Sequence, residues 1–203
     1  VKYPTDSEHI DKDSDNINIH KLGFYYADKE LFEKVVESTG TCSGFEYYRH
    51  PLTFILEAAD DIAYATADLE DSYKKGLFTI DEFKIFFKKE SEKIMDKSQN
   101  KRSNELMDEL EKLSEPENSY TDEQIFQRWI NYTRHWLVYC AAYGFTHNYR
   151  DIMDGKFHNE IIHNTFHEGT MRILKNAMKE FTYSSAEIIK LELSAEKIIE
   201  DLI

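Results

Sequence analysis

Residues 49–71 read RHPLTFILEAADDIAYATADLED, and this stretch decides the fold class of the chain. Its length without an internal Pro or Gly, its many Ala and Leu residues and the proline near its start predict a helix that begins at about Pro51 and ends just before Gly76. Asp60, Tyr64 and Asp68 are spaced by four residues, so on an α-helix they lie along one face. The small alanines around them leave room for a ligand or for a neighbouring helix.

Two interpretations of these acids remain open at this point. Acids spaced by four on a helix are most often its solvated face. Here, however, apolar residues occupy most of the remaining circumference, so we expect the helix to be largely enclosed and the Asp60 carboxylate to be buried. A buried carboxylate needs a cation, a metal or several hydrogen-bond donors, because burying it unpaired costs several kcal/mol. The apolar residues are Leu52, Ile55, Leu56, Ala59, Ile62, Ala63 and Leu69.

The stretch closely resembles a segment of the deoxyguanosine triphosphate triphosphohydrolases, members of the HD-domain phosphohydrolase superfamily. In that family this segment supplies the last metal-binding aspartate of an H…HD…D set. The likeness includes Pro-Leu before the helix, Glu-Ala-Ala-Asp-Asp within it, and Tyr and Asp four and eight residues after the first Asp. The similarity spans most of the chain, is strongest over residues 20–75 and is weaker beyond residue 100. It includes Lys2-Tyr3-Pro4, residues 21–32, residues 152–157 and residues 191–202.

The family's first His and its His-Asp pair have no counterpart in this sequence, which contains no His-Asp dipeptide and begins at Val1. We therefore expect the chain to be the C-terminal part of a longer enzyme that is inactive as a fragment, its catalytic residues lying upstream. The implied fold is an all-α, multi-helix HD-domain-like bundle that is incomplete at its N-terminal side. Residues 1–95 would form the C-terminal part of the HD core, and residues 96–203 a helical C-terminal region.

The resemblance also implies roles for particular residues. Asp60 would be a ligand of a divalent metal ion, such as Mg²⁺, Mn²⁺ or a similar transition metal. Asp68 would accept a hydrogen bond from the deoxyribose 3′-hydroxyl, and Tyr64 would pack where a 2′-hydroxyl would otherwise intrude. One arginine of the aromatic-rich segment 126–136, Arg128 or Arg134, would contact the triphosphate, since a guanidinium presents a fork of donors to phosphate. Arg49 could neutralise one of the acids or meet phosphate.

The implied reaction is hydrolysis of dGTP, or of other dNTPs, to deoxynucleoside and inorganic triphosphate. Two alternatives stay open: another nucleotide phosphohydrolase of the HD superfamily, such as a nucleotidase, or a noncatalytic helical regulatory module. A homo-oligomer is expected, because many relatives in the family are symmetric assemblies. Single-stranded DNA binding is known among relatives, but no residue of this sequence indicates it.

Composition agrees with a helical protein of the cytoplasm. Only 7 Gly and 3 Pro occur in 203 residues, and 41% of the residues are hydrophobic. Two cysteines without motif spacing favour a reducing compartment over a disulfide framework or a zinc cage. The net charge of -14 argues against nonspecific attraction to DNA or to an anionic membrane. No run approaches the roughly 18 apolar residues of a membrane span.

Further helices are predicted from periodicity and capping patterns. Helices are expected over about 28–39, after the capping boxes Thr79–Glu82 and Thr121–Gln124, and over about 148–154, 158–180 and 184–202. We find no convincing strand. The histidines of the last third of the chain are interpreted as structural or surface residues, since their spacing does not match a zinc motif. They are His158, His163 and His167.

Overall fold

The computed structural model describes residues 1–44, 46–184 and 186–202, and it confirms the all-α prediction. The chain is 68% helical and 2% strand, with eight α-helices in the described parts. They are α1 (Lys29–Thr39), α2 (Pro51–Lys74), α3 (Ile80–Ser91), α4 (Lys97–Leu113), α5 (Asp122–His147), α6 (Tyr149–Met153), α7 (Glu168–Ala177) and α8 (Ala186–Leu202). Short 3₁₀ helices occupy Ile17–Ile19, Tyr26–Asp28 and Pro116–Asn118, and Met178–Tyr183 form a π-helix between α7 and α8.

Local signals place several helix ends where the sequence predicts them. Helix α2 begins at Pro51, and α3 begins after a capping box in which Thr79 and Glu82 bond each other's backbone N–H groups. The second capping box is also present: the Thr121 N–H donates to Gln124 Oε1 at 3.1 Å, and the Gln124 N–H donates to Thr121 Oγ1 at 3.3 Å. Helix α1 ends at Gly40, whose φ of 66° lies in the left-handed region that glycine adopts without strain.

Two sequence predictions need correction. The helix predicted over 158–180 is wrong in its first half, because residues 154–167 form turns and Asn164 takes a φ of 60°. Asparagine tolerates this left-handed conformation, which ends helical propagation. A small antiparallel ladder joins β1 (Cys42–Ser43) to β2 (Glu46–Tyr47), although no strand was expected. The sequence also predicts that Ser184, together with Glu187, caps the last helix, but the Glu187 side chain lies outside the described residues.

The chain divides into two compact units. The first unit comprises Val1–Asp60 and Cys140–Thr165, and the second unit comprises Asp61–Tyr139 and Phe166–Ile203. The boundary falls within α2 and within α5, so each of these helices contributes to both units. This division follows spatial packing, and the functional boundary predicted near residue 95 stays a prediction.

The second unit has an aromatic core. Phe83, Phe126 and Trp129 are completely buried, and the Phe83 ring meets Phe126 and Trp129 edge-on, with ring centroids 5.2 and 5.1 Å apart. The Trp129 indole N–H donates to the Leu106 carbonyl at 2.7 Å, which satisfies its one polar group. Further buried rings and side chains fill the space between α3, α4, α5 and α7: Phe78, Phe87, Met107, Leu110, Ile130, Ile173 and Leu174.

The first unit has a smaller apolar core around α1 and the β1–β2 hairpin. Phe24 stacks on Phe32 with centroids 4.0 Å apart, and Tyr47 meets Phe32 edge-on at 5.1 Å. Both cysteines of the chain belong to this unit, and neither forms a disulfide bond; Cys42 is half-buried, whereas Cys140 is 1% exposed. In the described parts of the chain, no helix is long and apolar enough to cross a membrane.

Candidate functional site

Helix α2 carries the three residues on which the sequence analysis centres. Asp60, Tyr64 and Asp68 all lie within its 24 residues, and the helical repeat places them along one face. Asp60 is exposed, Tyr64 is 64% exposed and Asp68 is half-buried. The expectation that α2 is enclosed and that the Asp60 carboxylate is buried is therefore wrong for this structure. Apolar side chains of the same helix are also exposed, namely Leu52 (63%), Ile55 (43%) and Leu56 (55%).

Asp60 could provide one carboxylate ligand to a metal ion, and the question is whether other ligands lie near it. Among the residues that the structure describes, no group of three or more His, Cys, Asp or Glu side chains is arranged to hold a metal ion. Divalent metals in proteins take several protein ligands, or one or two carboxylates together with waters and substrate phosphates. The residues present therefore do not form a metal site by themselves, and Asp60 as a metal ligand stays a prediction.

The neighbouring acid, Asp61, has a different environment. Its Oδ2 accepts a charge-assisted hydrogen bond from Lys175 Nζ of α7 at 2.7 Å. Asp61 lies about 100° round the helix from Asp60, so the two carboxylates face different surroundings. This ion pair links α7 to α2 within the second unit, so Asp61 has a structural partner.

Asp68 has a hydrogen-bond donor that the sequence analysis missed. The Tyr183 hydroxyl, at the end of the π-helix, donates to Asp68 Oδ2 at 3.2 Å. Burial of the Tyr183 hydroxyl raises its pKa above the usual value, and the charge of Asp68, the hydrogen bond to it and the nearby Tyr64 raise it further. Tyr183 stays protonated at neutral pH and so remains a donor. Tyr183 is therefore a third residue near Tyr64 and Asp68, the two α2 residues for which the resemblance implies a sugar-binding role.

Arg134 contacts α2, but on another face. Its Nε donates to Thr66 Oγ1 at 2.9 Å, and its Nη2 lies 3.8 Å from Glu70 Oε2. Thr66 and Glu70 each lie two residues from Asp68, which on an α-helix places them on the opposite side. This geometry gives Arg134 a structural contact and does not support its predicted role in binding triphosphate, which stays a prediction.

Arg128 is an exposed residue of α5. Its guanidinium carbon lies 4.3 Å from the centroid of the Tyr120 ring, a cation–π contact. Such a contact at an exposed site stabilises by about 0.5–1 kcal/mol. Arg128 therefore has a structural partner, and its role towards phosphate stays a prediction.

Arg49 is a buried residue of the first unit, with 2% of its surface exposed. Its Nε donates to the Lys2 carbonyl at 2.7 Å, its Nη2 bonds Glu57 Oε2, and its guanidinium carbon lies 4.7 Å from the Tyr3 ring centroid. Nη1 is buried with no hydrogen-bond partner among the described residues. Arg49 is thus held in a structural ion pair, and this position does not itself support a phosphate role.

The Arg49–Glu57 pair perturbs its surroundings. The Tyr3 hydroxyl donates to Glu57 Oε1 at 2.7 Å. Burial, followed by this bond and the Glu57 charge, raises the pKa of Tyr3 to about 12. The pKa of Glu57 is lowered: burial opposes this shift, and the bond from Tyr3 and the Arg49 charge outweigh it. Through Arg49 and Glu57, the cluster links residues 2 and 3 to α2.

The three histidines have the structural or surface environments that were predicted. His158 Nδ1 lies 3.0 Å from the Asn18 amide nitrogen, and His163 is exposed. His167 is 4% exposed, its Nδ1 lies 3.2 Å from Thr170 Oγ1, and its ring packs against Trp136. Burial, and then the charge of Arg102, lowers the pKa of His167 to about 4, so its ring is neutral at pH 7.

Comparison with known proteins supports the sequence resemblance. No protein-family model matches the chain. A deoxyguanosinetriphosphate triphosphohydrolase-like protein of Listeria monocytogenes is 33% identical over 204 residues, which cover the whole of this chain and 41% of the relative. A deoxyguanosinetriphosphate triphosphohydrolase of Serratia proteamaculans is 26% identical over 196 residues, or 94% of this chain and 37% of the relative. A third relative, the triphosphohydrolase-like protein of Synechocystis, is 43% identical over 63 residues.

The chain thus spans less than half the length of the curated relatives that it matches, and it corresponds to their C-terminal part. The chain is therefore similar in sequence to the C-terminal part of proteins named deoxyguanosinetriphosphate triphosphohydrolase or triphosphohydrolase-like protein.

Proposed function

We propose that this chain, related to the C-terminal part of the dGTP triphosphohydrolases, belongs to a metal-dependent enzyme that hydrolyses dGTP and other dNTPs to deoxynucleoside and inorganic triphosphate. One observation carries the proposal: α2 presents Asp60, Tyr64 and Asp68 on a single accessible face, in the order and spacing of the family segment. The named function of the relatives agrees with it.

In this proposal the residues of α2 have distinct roles. Asp68 accepts the hydrogen bond of the sugar 3′-hydroxyl, and the Tyr64 ring fills the space beside the 2′ carbon. A ribonucleotide would then have to place its 2′-hydroxyl against an aromatic ring. Rejection of an added hydroxyl requires a filled space or an unpaired polar group, and Tyr64 provides the filled space.

Asp60 would contribute one ligand to a divalent metal, and the remaining ligands would come from residues outside this sequence. When bound, such an ion supplies charge stabilisation at a phosphoryl oxygen and lowers the pKa of bound water. The exposed apolar side chains beside Asp60 on α2 agree with a helix face that another part of the enzyme covers. The protein of residues 1–203 alone is then expected to be inactive.

The test uses the protein expressed from its complete reading frame. Asp60→Asn keeps the size of the side chain and removes its charge. It should lower the rate of triphosphate release from dGTP by more than about 100-fold, because mutation of residues that only hydrogen-bond a metal ligand already lowers activity about 10–100-fold. Asp61→Asn is the matched control, since it makes the same substitution at the next residue. The Asp61–Lys175 ion pair is partly exposed and contributes little to stability, so the activity of this variant should stay within about fivefold of the native activity.

The products separate the alternatives. Inorganic triphosphate together with deoxyguanosine identifies a triphosphohydrolase, whereas a nucleoside monophosphate substrate that releases orthophosphate identifies a nucleotidase. If no dNTP is hydrolysed with Mg²⁺ or Mn²⁺, the regulatory-module alternative replaces the proposal. Full activity of Asp60→Asn would contradict the assignment of Asp60.

A further inference from the structure

We propose that Tyr183 is a positioning residue that orients the Asp68 carboxylate towards the sugar 3′-hydroxyl. The proposal rests on the proposed function and adds a residue that lies 115 positions away in the sequence. The Tyr183 hydroxyl donates a hydrogen bond to Asp68 Oδ2 at 3.2 Å. A carboxylate has two oxygens that can each accept hydrogen bonds, so Oδ1 retains its capacity for a second donor.

The backbone around Tyr183 is held independently of any ligand. Thr182 Oγ1 and Ser72 Oγ share a buried hydrogen bond of 2.8 Å, and Ser72 lies one helical turn after Asp68 on α2. The Phe181 ring stacks on Phe78 with centroids 4.7 Å apart. The residue that follows, Ser184, donates its hydroxyl to the Lys179 carbonyl at 2.6 Å. Both sides of Tyr183 are therefore fixed to the second unit.

The π-helix sets the direction in which Tyr183 points. A π-helix accommodates an extra residue per hydrogen-bonded turn, and such segments are frequent at functional sites. Here Met178–Tyr183 follow α7 directly, so three successive side chains have three different partners: Phe181 the aromatic core, Thr182 the buried Ser72, and Tyr183 the accessible Asp68. A carboxylate held by a fixed donor is oriented before substrate arrives, which is what a precise binding site needs.

The Tyr183 ring is itself accessible, with 42% of its surface exposed, and Tyr64 is 64% exposed. Tyr183 can therefore act beside a bound ligand, as a residue in the interior could not. The competing explanation is a purely structural one, in which the hydrogen bond only ties the π-helix to α2. The two explanations differ in one respect: a structural tie affects every substrate equally, whereas orientation of Asp68 affects only substrates that have a 3′-hydroxyl.

The experiment compares dGTP with 2′,3′-dideoxy-GTP in the protein expressed from its complete reading frame. Tyr183→Phe removes the hydroxyl and keeps the ring. We expect kcat/KM for dGTP to fall about tenfold, the size of effect that the loss of one hydrogen bond to a charged group gives. We expect kcat/KM for the dideoxy substrate to change less than about twofold, because it has no group for Asp68 to accept from.

Tyr73→Phe is the matched control, since Tyr73 is a half-buried tyrosine of α2 that stacks on Phe126, and it should affect both substrates equally. An equal loss on dGTP and dideoxy-GTP in Tyr183→Phe, or no loss on dGTP, overturns the proposal. Asp68→Asn distinguishes that failure from failure of its premise: if this variant keeps the native preference for dGTP over dideoxy-GTP, Asp68 does not bind the sugar. A native protein that hydrolyses neither substrate rejects both proposals.

Discussion

The second unit is stabilised by aromatic rings, whereas the first unit buries a charged guanidinium. In the second unit Phe83, Phe126 and Trp129 are fully buried against one another, and the indole N–H is satisfied. In the first unit Arg49 is equally buried, and its partner Glu57 is only partly so. Burial of rings is favourable at any pH, but a buried ion pair depends on both partners. The two units should therefore respond differently to substitution and to pH.

The largest expected effect is in the aromatic core. Phe83→Ala should lower the free energy of unfolding of the second unit by about 4 kcal/mol, since it removes a fully buried ring and leaves a cavity. Chemical denaturation monitored by Trp fluorescence measures this loss, because the Trp129 and Phe83 ring centroids lie 5.1 Å apart. Ile85→Ala in the same helix is the control: Ile85 is 70% exposed, and its loss should cost less than about 0.5 kcal/mol. Similar effects of the two changes would contradict the assignment of the core.

The next largest effect is a pH dependence of the stability of the second unit, caused by the buried His167. The folded-state pKa of His167 is about 4, below its ordinary value of 6.5, so the unfolded chain binds the proton more tightly. Stability from this group is complete above about pH 6.5 and is lost as pH falls towards 4, by about 3 kcal/mol in all. Denaturation of the native protein and of His167→Gln across this range measures the difference. If the difference does not vary with pH, His167 is not buried as a neutral ring.

A smaller effect is expected for the ion pair of the first unit. Glu57→Ala leaves Arg49 buried without its acidic partner and should cost about 2 kcal/mol, less than for a fully buried pair because the Glu57 side chain is 24% exposed. Thermal denaturation measures it, with the exposed Glu37→Ala of α1 as control. Replacement of both partners, as Arg49→Met with Glu57→Met, should recover much of the loss. Equal effects of Glu57→Ala and Glu37→Ala would show that the pair adds no stability.

The smallest effect compares a capped helix with an uncapped one. Thr79→Ala should cost the second unit about 1 kcal/mol, because Thr79 Oγ1 accepts from the Glu82 N–H at the start of α3. Asp28→Ala should cost the first unit little, since Asp28 precedes α1 but its side chain makes no capping hydrogen bond. The denaturation midpoints of the two variants measure these losses. A larger loss for Asp28→Ala than for Thr79→Ala would contradict the capping described for α3 and α1.

Local signals made much of the fold predictable. Helices α1, α2 and α3 follow from periodicity, from Pro51 and from the capping box at Thr79, all of which depend on residues a few positions apart. The turns of residues 158–167 were predicted as helix because their sequence contains helix-compatible apolar spacing, and only the tertiary structure selects the left-handed conformation at Asn164.

The candidate site divides in the same way. The shared face of Asp60, Tyr64 and Asp68 follows from spacing within one helix. The accessibility of that face, the burial of Arg49 and the contacts of Arg134 depend on packing between distant segments, which periodicity does not report. Tyr183 was missed for the same reason, since it contacts Asp68 through a π-helix that no local pattern in Met178–Tyr183 predicts.

The two cysteines of the first unit form no disulfide bond, so each can be labelled chemically when it is accessible. Cys42 is half-buried at the hairpin, while Cys140 is 1% exposed, so an alkylating reagent reaches Cys140 only when the surrounding structure opens. The second unit contributes no cysteine to the sequence. The rate at which Cys140 is labelled therefore measures how often the structure around this one side chain opens, without any engineered residue.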